Sequence, residues 1–151
     1  MPDYPVLEFN WKDLPEVADN IWQAQMAGWE TILTYRGPLP EAVGGLVRRH
    51  TMKYEAEGKQ YRIPTLPKSK INSRDEYPFA CTEEGAAKSG SRKPWVGHVP
   101  PHENSVQGGM IRAFILKHGI TASGTNRKFE VRVINHPNGP VRPGPAIKYP
   151  L

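Results

Sequence analysis

Cysteine is almost absent: Cys81 is the single one among 151 residues. An intrachain disulfide is therefore excluded, and so is a cysteine cluster holding zinc. Cys81 itself reads as a small buried hydrophobe rather than a nucleophile. No run approaches the roughly 20 apolar residues that cross a bilayer as a helix. The opening stretch MPDYPVLEFNW carries neither a basic n-region nor an apolar h-region, so no signal peptide is visible. Internal repeats are also missing. Acidic side chains are in deficit: 15 Asp and Glu against 20 Lys and Arg leave a formal net charge of +5. A pI near 9.4 favours an anionic partner, nucleic acid first, an acidic membrane surface or acidic protein second.

What the chain does contain suffices for one core. Hydrophobic residues make up 38% and are spread through most of the length, while 16 prolines and 14 glycines predict many turns. Residues 6–11 alternate as a short strand. A helix follows over 15–27, with Asp13 as N-cap, Pro15 in the first turn, and Leu14, Val17, Ile21 and Ala24 on one face. Gly28 is its stop signal. TILTY, residues 31–35, is a β-branched strand, and a strand–helix–strand start favours parallel pairing. Residues 39–50 form a second helix candidate, weakened by Gly44 and Gly45. A basic, extended run leads to residue 74, and GAAKSGSRKP reads as a loop. A helix is predicted over 109–118 with Gly119 as its stop, and FEVRVI, 129–134, as a strand with Phe129, Val131 and Val133 facing one way. The result is an α+β fold: a small mixed sheet of 6–9, 31–35 and 129–134 packed against two main helices in a single domain, 1–134. The proline-rich residues 135–151 read as an extended C-terminal tail.

Two polar clusters carry the chemistry. NSRDEYPFACTEEG, residues 72–85, gathers Asp75, Glu76, Glu83 and Glu84 in a basic chain. In an extended segment Asp75 and Glu76 point to opposite sides. Glu83 or Glu84 returns to Asp75 if the chain turns through Pro78. Converging carboxylates repel, and a hard divalent cation such as Mg²⁺, Mn²⁺ or Ca²⁺ relieves that; a solvated acidic loop is the competing reading. GHVPPHENSVQGG, residues 97–109, adds His98, His102, Glu103, Asn104 and Gln107. Asn104 is either a helix N-cap or an oxygen ligand, and His98 and His102 are candidate general bases. Lys and Arg flank both clusters. Phosphodiester hydrolysis needs that combination, cations along the backbone and a carboxylate-held metal at the cut.

SRDEYPFACTEEG resembles the core motif of the NucA/NucB family of bacterial deoxyribonucleases, roughly R/C-D-E-Y/W-P-x-A followed by E-G-G. RIPTLPK is similar to the family's Ile-Pro-Thr-x-Pro approach, and VPPHENSVQGG to its V-P-x-x-E/D-N-x-x-x-G segment. LPEVADNIWQAQMAGWETILTYRG resembles its first helix and next strand, and FEVRVI sits where the final strand falls, so the likeness covers about 7–134. The resemblance implies a metal-dependent, non-sequence-specific DNA endonuclease using Mg²⁺ or Mn²⁺. It matches Asp75 and Glu76 to the Asp-Glu pair, Glu84 to the E-G-G glutamate and Asn104 to the asparagine after V-P. On that footing Glu84 and Asn104 are metal ligands with Glu76 a third, Asp75 is the base, and Arg74 contacts phosphate. Ala86 replaces the second glycine of E-G-G, which favours an alternative, a catalytically inactive nucleic-acid-binding module. His98 and His102 have no family counterpart. The family also occurs as toxin modules of larger secreted proteins, and VPPHENSVQGG is closer to that branch. That implies an effector delivered into a target cell, with an acidic immunity protein as partner and no membrane association.

Overall fold

KFEVRVI builds the centre of the sheet because its alternation sends Phe129, Val131 and Val133 inward. The computed structural model describes residues 3–37, 73–85 and 95–142. The helix expected over 39–50, most of the basic run, Ala86, the Gly/Ser/Lys loop, residues 143–151 and the side chain of Arg74 lie outside the described residues. The described elements are β1 (Val6–Asn10), α1 (Pro15–Met26), β2 (Ile32–Thr34), β3 (Ser73–Tyr77), β4 (Trp95–Val99), α2 (Pro101–Lys117) and β5 (Lys128–Ile134).

β5 takes the middle of a three-stranded sheet ordered β1-β5-β2. β1 runs parallel to it with Val6 opposite Glu130, and β2 antiparallel with Ile32 opposite Glu130. The parallel pairing favoured for the first two strands therefore does not form. β5 separates them because its seven alternating residues can pair along both edges, whereas β2 offers three. β3 and β4 make a second, two-stranded antiparallel ribbon. The fold is a single small α+β domain, with two helices and small mixed sheets among the described residues.

α1 occupies the predicted stretch and turns out at Gly28, whose φ of 96° is open to glycine. Its cap differs from expectation. The Asp13 N–H closes a turn onto the Asn10 carbonyl, Leu14 takes the cap position with no side-chain bond, and the Leu14 side chain enters the core. α2 starts at Pro101, well before residue 109, because Pro101 at the first helical position pre-sets φ. Asn104 consequently lies inside the first turn rather than at the cap. The proline-rich stretch begins by packing on α1: His136 stacks on Trp22 at 4.0 Å between ring centroids, and Trp22 Nε1 donates to the Gly139 carbonyl.

The turn after β3 closes tightly on Gly85. A Cβ there would lie 2.1 Å from the Phe79 carbonyl oxygen and 2.3 Å from that of Pro78. Gly85→Ala is expected to destabilise the protein by about 1–3 kcal/mol, the range for overpacking. Thermal unfolding in chelator checks it; an unchanged midpoint would mean that the turn yields.

Candidate active site

The β3–β4 ribbon has an inner face made of Ser73, Asp75 and Tyr77 opposite Val99, Gly97 and Trp95. Five of these, Asp75, Tyr77, Trp95, Gly97 and Val99, are buried, so a carboxylate sits in a largely apolar layer. Burial pushes the Asp75 carboxyl up to about 6; hydrogen bonds from Asn20 and Gln107 oppose the rise and the Glu103 charge adds to it. At neutral pH the group is ionised and far more basic than an exposed aspartate.

Two helices hold it from opposite sides. From α1, the fully buried Asn20 donates Nδ2–H to Asp75 Oδ2 at 3.0 Å and to the Asp75 carbonyl at 3.2 Å, while its Oδ1 accepts from Trp95 Nε1 at 3.0 Å. The amide reaches the ribbon because Gly97 stands opposite Asp75: a Cβ on Gly97 would fall 2.2 Å from Asn20 Oδ1. From α2, Gln107 Nε2 donates to Asp75 Oδ1 at 2.5 Å and to Asn104 Oδ1 at 3.2 Å. Asn104 in turn donates to Ser73 Oγ at 2.7 Å. Gln107 Oε1 is buried with no hydrogen-bond partner among the described residues.

The same turn of α2 also ties the two helices together. Glu103 Oε1 accepts from the backbone N–H groups of Glu16 and Val17 at 3.0 and 3.1 Å. It supplies from another helix the cap that Asp13 does not, and its charge lies at the positive end of the α1 dipole.

The remaining residues expected at the site are dispersed. Glu76 and His98 alternate onto the outer face of the ribbon, away from Asp75, and Arg74 stands opposite His98 in register. His102 is exposed on the first turn of α2. Glu84 is latched to β2, with Oε1 accepting from the Thr34 N–H at 2.7 Å and Oε2 from the Thr34 hydroxyl at 2.9 Å. Glu83 pairs with Arg127 at 2.6 Å. Burial pushes the Cys81 thiol up to about 11, so it is protonated at neutral pH. Among the described residues no group of three or more His, Cys, Asp or Glu side chains converges as a metal cage. What converges is a pair of oxygens, Asp75 Oδ1 and Asn104 Oδ1, both accepting from the Gln107 amide nitrogen. Carboxylate and amide oxygens of this kind are the donor types that a hard, partly hydrated divalent cation takes.

The site is thus a buried carboxylate on an antiparallel ribbon, braced by a following helix that carries an asparagine. The family model for deoxyribonuclease NucA/NucB matches residues 25–132. The chain belongs to that family. NucA/NucB membership implies DNase activity, a hydrolase reaction on a DNA substrate. The match takes in β2, the ribbon and α2, and leaves β1 and Asn20 outside. No curated protein matches the chain. No helix among the described residues is long and apolar enough to cross a membrane.

Three members of this candidate site had no role assigned from sequence. Asn20 stands on the apolar face of α1 between Val17 and Ile21, and a lone amide on a core stripe was its signal. Gln107 lies one turn after Asn104, on the same side of α2. Gly97 gives no signal until its partner strand is known.

Proposed function

We propose that this deoxyribonuclease is a divalent-metal-dependent endonuclease that cuts the DNA backbone without sequence preference, with Asp75 as the general base. The observation that carries the reading is Asp75 itself, buried, raised to about 6, and held at both oxygens by neutral amides. Asp75 takes the proton from the attacking water; Asn20 and Gln107 keep its carboxylate from rotating away from that line. Neutral donors orient the group without cancelling its basicity, as an arginine in their place would.

Of the ligands expected for Mg²⁺ or Mn²⁺, Asn104 has the strongest support, since its amide meets Gln107 beside Asp75. Glu76 belongs to the outer face, and Glu84 ligates only by releasing Thr34. A cation on these oxygens supplies charge neutralisation at the scissile phosphate. Arg74 is proposed as a phosphate contact. The resemblance of VPPHENSVQGG to the toxin branch supports a secreted or delivered effector, and the +5 charge supports an acidic immunity protein as inhibitor.

Plasmid nicking tests the reading. Supercoiled DNA is expected to be nicked with Mg²⁺ or Mn²⁺ and spared in EDTA. Gel retention without nicking in any divalent metal would instead establish the inactive binding module.

A further inference from the structure

Gly108 and Gly109 stand in the middle of α2, where glycine weakens a helix relative to alanine. Packing does not call for them. A Cβ on Gly108 would meet, among the described residues, only the Arg112 guanidinium at 3.5 Å, and one on Gly109 only the same guanidinium at 3.9 Å. At Gly85 and Gly97, by contrast, the added carbon collides at 2.1 and 2.2 Å. Nor does the backbone demand glycine, because both residues have helical conformation.

Both glycines are partly exposed and Arg112 is exposed. Side chains on a helix lean back toward its N-terminus. The Arg112 guanidinium accordingly lies over the bare backbone of the preceding turn, on the way to Asn104. Among the described residues it has no ion pair or hydrogen bond. An unpaired cation folded onto a side-chain-free surface, next to a helix turn that reaches Asp75, suits a ligand that is anionic and must come close to the helix.

We infer that Gly108, Gly109 and Arg112 form a shoulder on which the DNA sugar–phosphate backbone docks beside the scissile bond. Arg112 binds a neighbouring phosphate, and the missing side chains let the strand lie against the helix. The inference rests on the DNase reading and names the surface that positions its substrate. Bulk at 108 or 109 lifts the strand away and also displaces the guanidinium. The excess of basic residues in the chain is complementary to this occupant.

The test uses the Asp75→Asn chain with a short DNA duplex in Mg²⁺, so that binding is read without cleavage. Adding Gly108→Ala or Gly109→Ala is expected to raise the unfolding midpoint by about 2 °C through helix propensity. The same change is expected to weaken duplex binding at least about 5-fold, by steric exclusion. Arg112→Ala is expected to weaken binding about 10-fold and to reduce the slope of log affinity against log salt by about 1. Glycine variants that bind as tightly as the parent, or an Arg112→Ala variant with an unchanged salt slope, overturn the inference while leaving the nuclease intact. A wild-type chain that neither nicks plasmid nor binds duplex overturns the DNase reading, and this inference with it.

Discussion

Asp75→Asn is expected to lower plasmid cleavage by about 10²–10⁴-fold, the usual contribution of a general base, while making the metal-free protein more stable at pH 7.5. The second effect follows from the same burial. The folded carboxyl titrates at about 6 against an ordinary 3.8, so between those values the folded state holds a proton that the unfolded chain has released. Stability therefore falls as pH rises through that window, and above it the full penalty stands, on the order of 3 kcal/mol for about two pKa units. Asparagine carries no such penalty. Its Oδ1 keeps the Asn20 bond, and its Nδ2 is accommodated if Gln107 rotates its amide and presents Oε1. That rotation gives up the Asn104 contact, so a net gain of about 1–3 kcal/mol is expected. Unfolding in EDTA at pH 7.5 and pH 4 checks both parts. The gain should be present at the first and nearly gone at the second; a variant less stable at pH 7.5 would show that the buried charge is not a burden.

Asn20→Leu should produce the largest loss of stability. Leucine has the same number of heavy atoms and a similar branched outline but is bulkier, and it strands Asp75 Oδ2, the Asp75 carbonyl and Trp95 Nε1 inside the core. At about 1–3 kcal/mol for each buried group left unpaired, a loss of about 3–5 kcal/mol and about 10 °C or more in midpoint is expected. Cleavage should fall as well, because Asp75 keeps only the Gln107 bond. Exchanging the pair, Asn20→Asp with Asp75→Asn, separates the two effects. The carboxylate at 20 accepts from Trp95 and from the amide at 75, whose oxygen accepts from Gln107. Thermal unfolding should recover part of its midpoint, since the residue-75 carbonyl still lacks its donor, while nicking stays low because the carboxylate now stands on α1. Recovered cleavage in the exchange variant would refute Asp75 as the base.

β5 and α1 were legible because their periods are uninterrupted: Phe129, Val131 and Val133 at spacing two, Val17, Ile21 and Ala24 at helical spacing. Asp75 was legible through its motif. α2 was read too short because HENSVQGG is polar and contains two glycines, both features that lower helix propensity, while the start signal at Pro101 followed another proline. β3 was hidden for a related reason. Ser-Arg-Asp-Glu-Tyr has no apolar alternation, since the residue that faces the core at its centre is an aspartate. The partners of that aspartate were not readable, because they come from elements far apart in the chain and are chosen by packing. Strand order escaped for the same reason, as a local strand–helix–strand pattern carries no information about a strand that arrives later.

That late arrival has a kinetic consequence. Among the described residues, β1 has no strand partner except β5, and β2 is held in the same sheet only through β5. Asn20, Asp75, Asn104 and Gln107 all lie between β1 and β5 in the chain. Closing so long a loop before the central pairing can form is slow compared with local helix formation. A chain emerging from the ribosome can form α1 and the ribbon early, but the sheet beneath them waits for β5. A DNA-cutting protein assembled in this order stays incomplete until nearly all of its described length has been made.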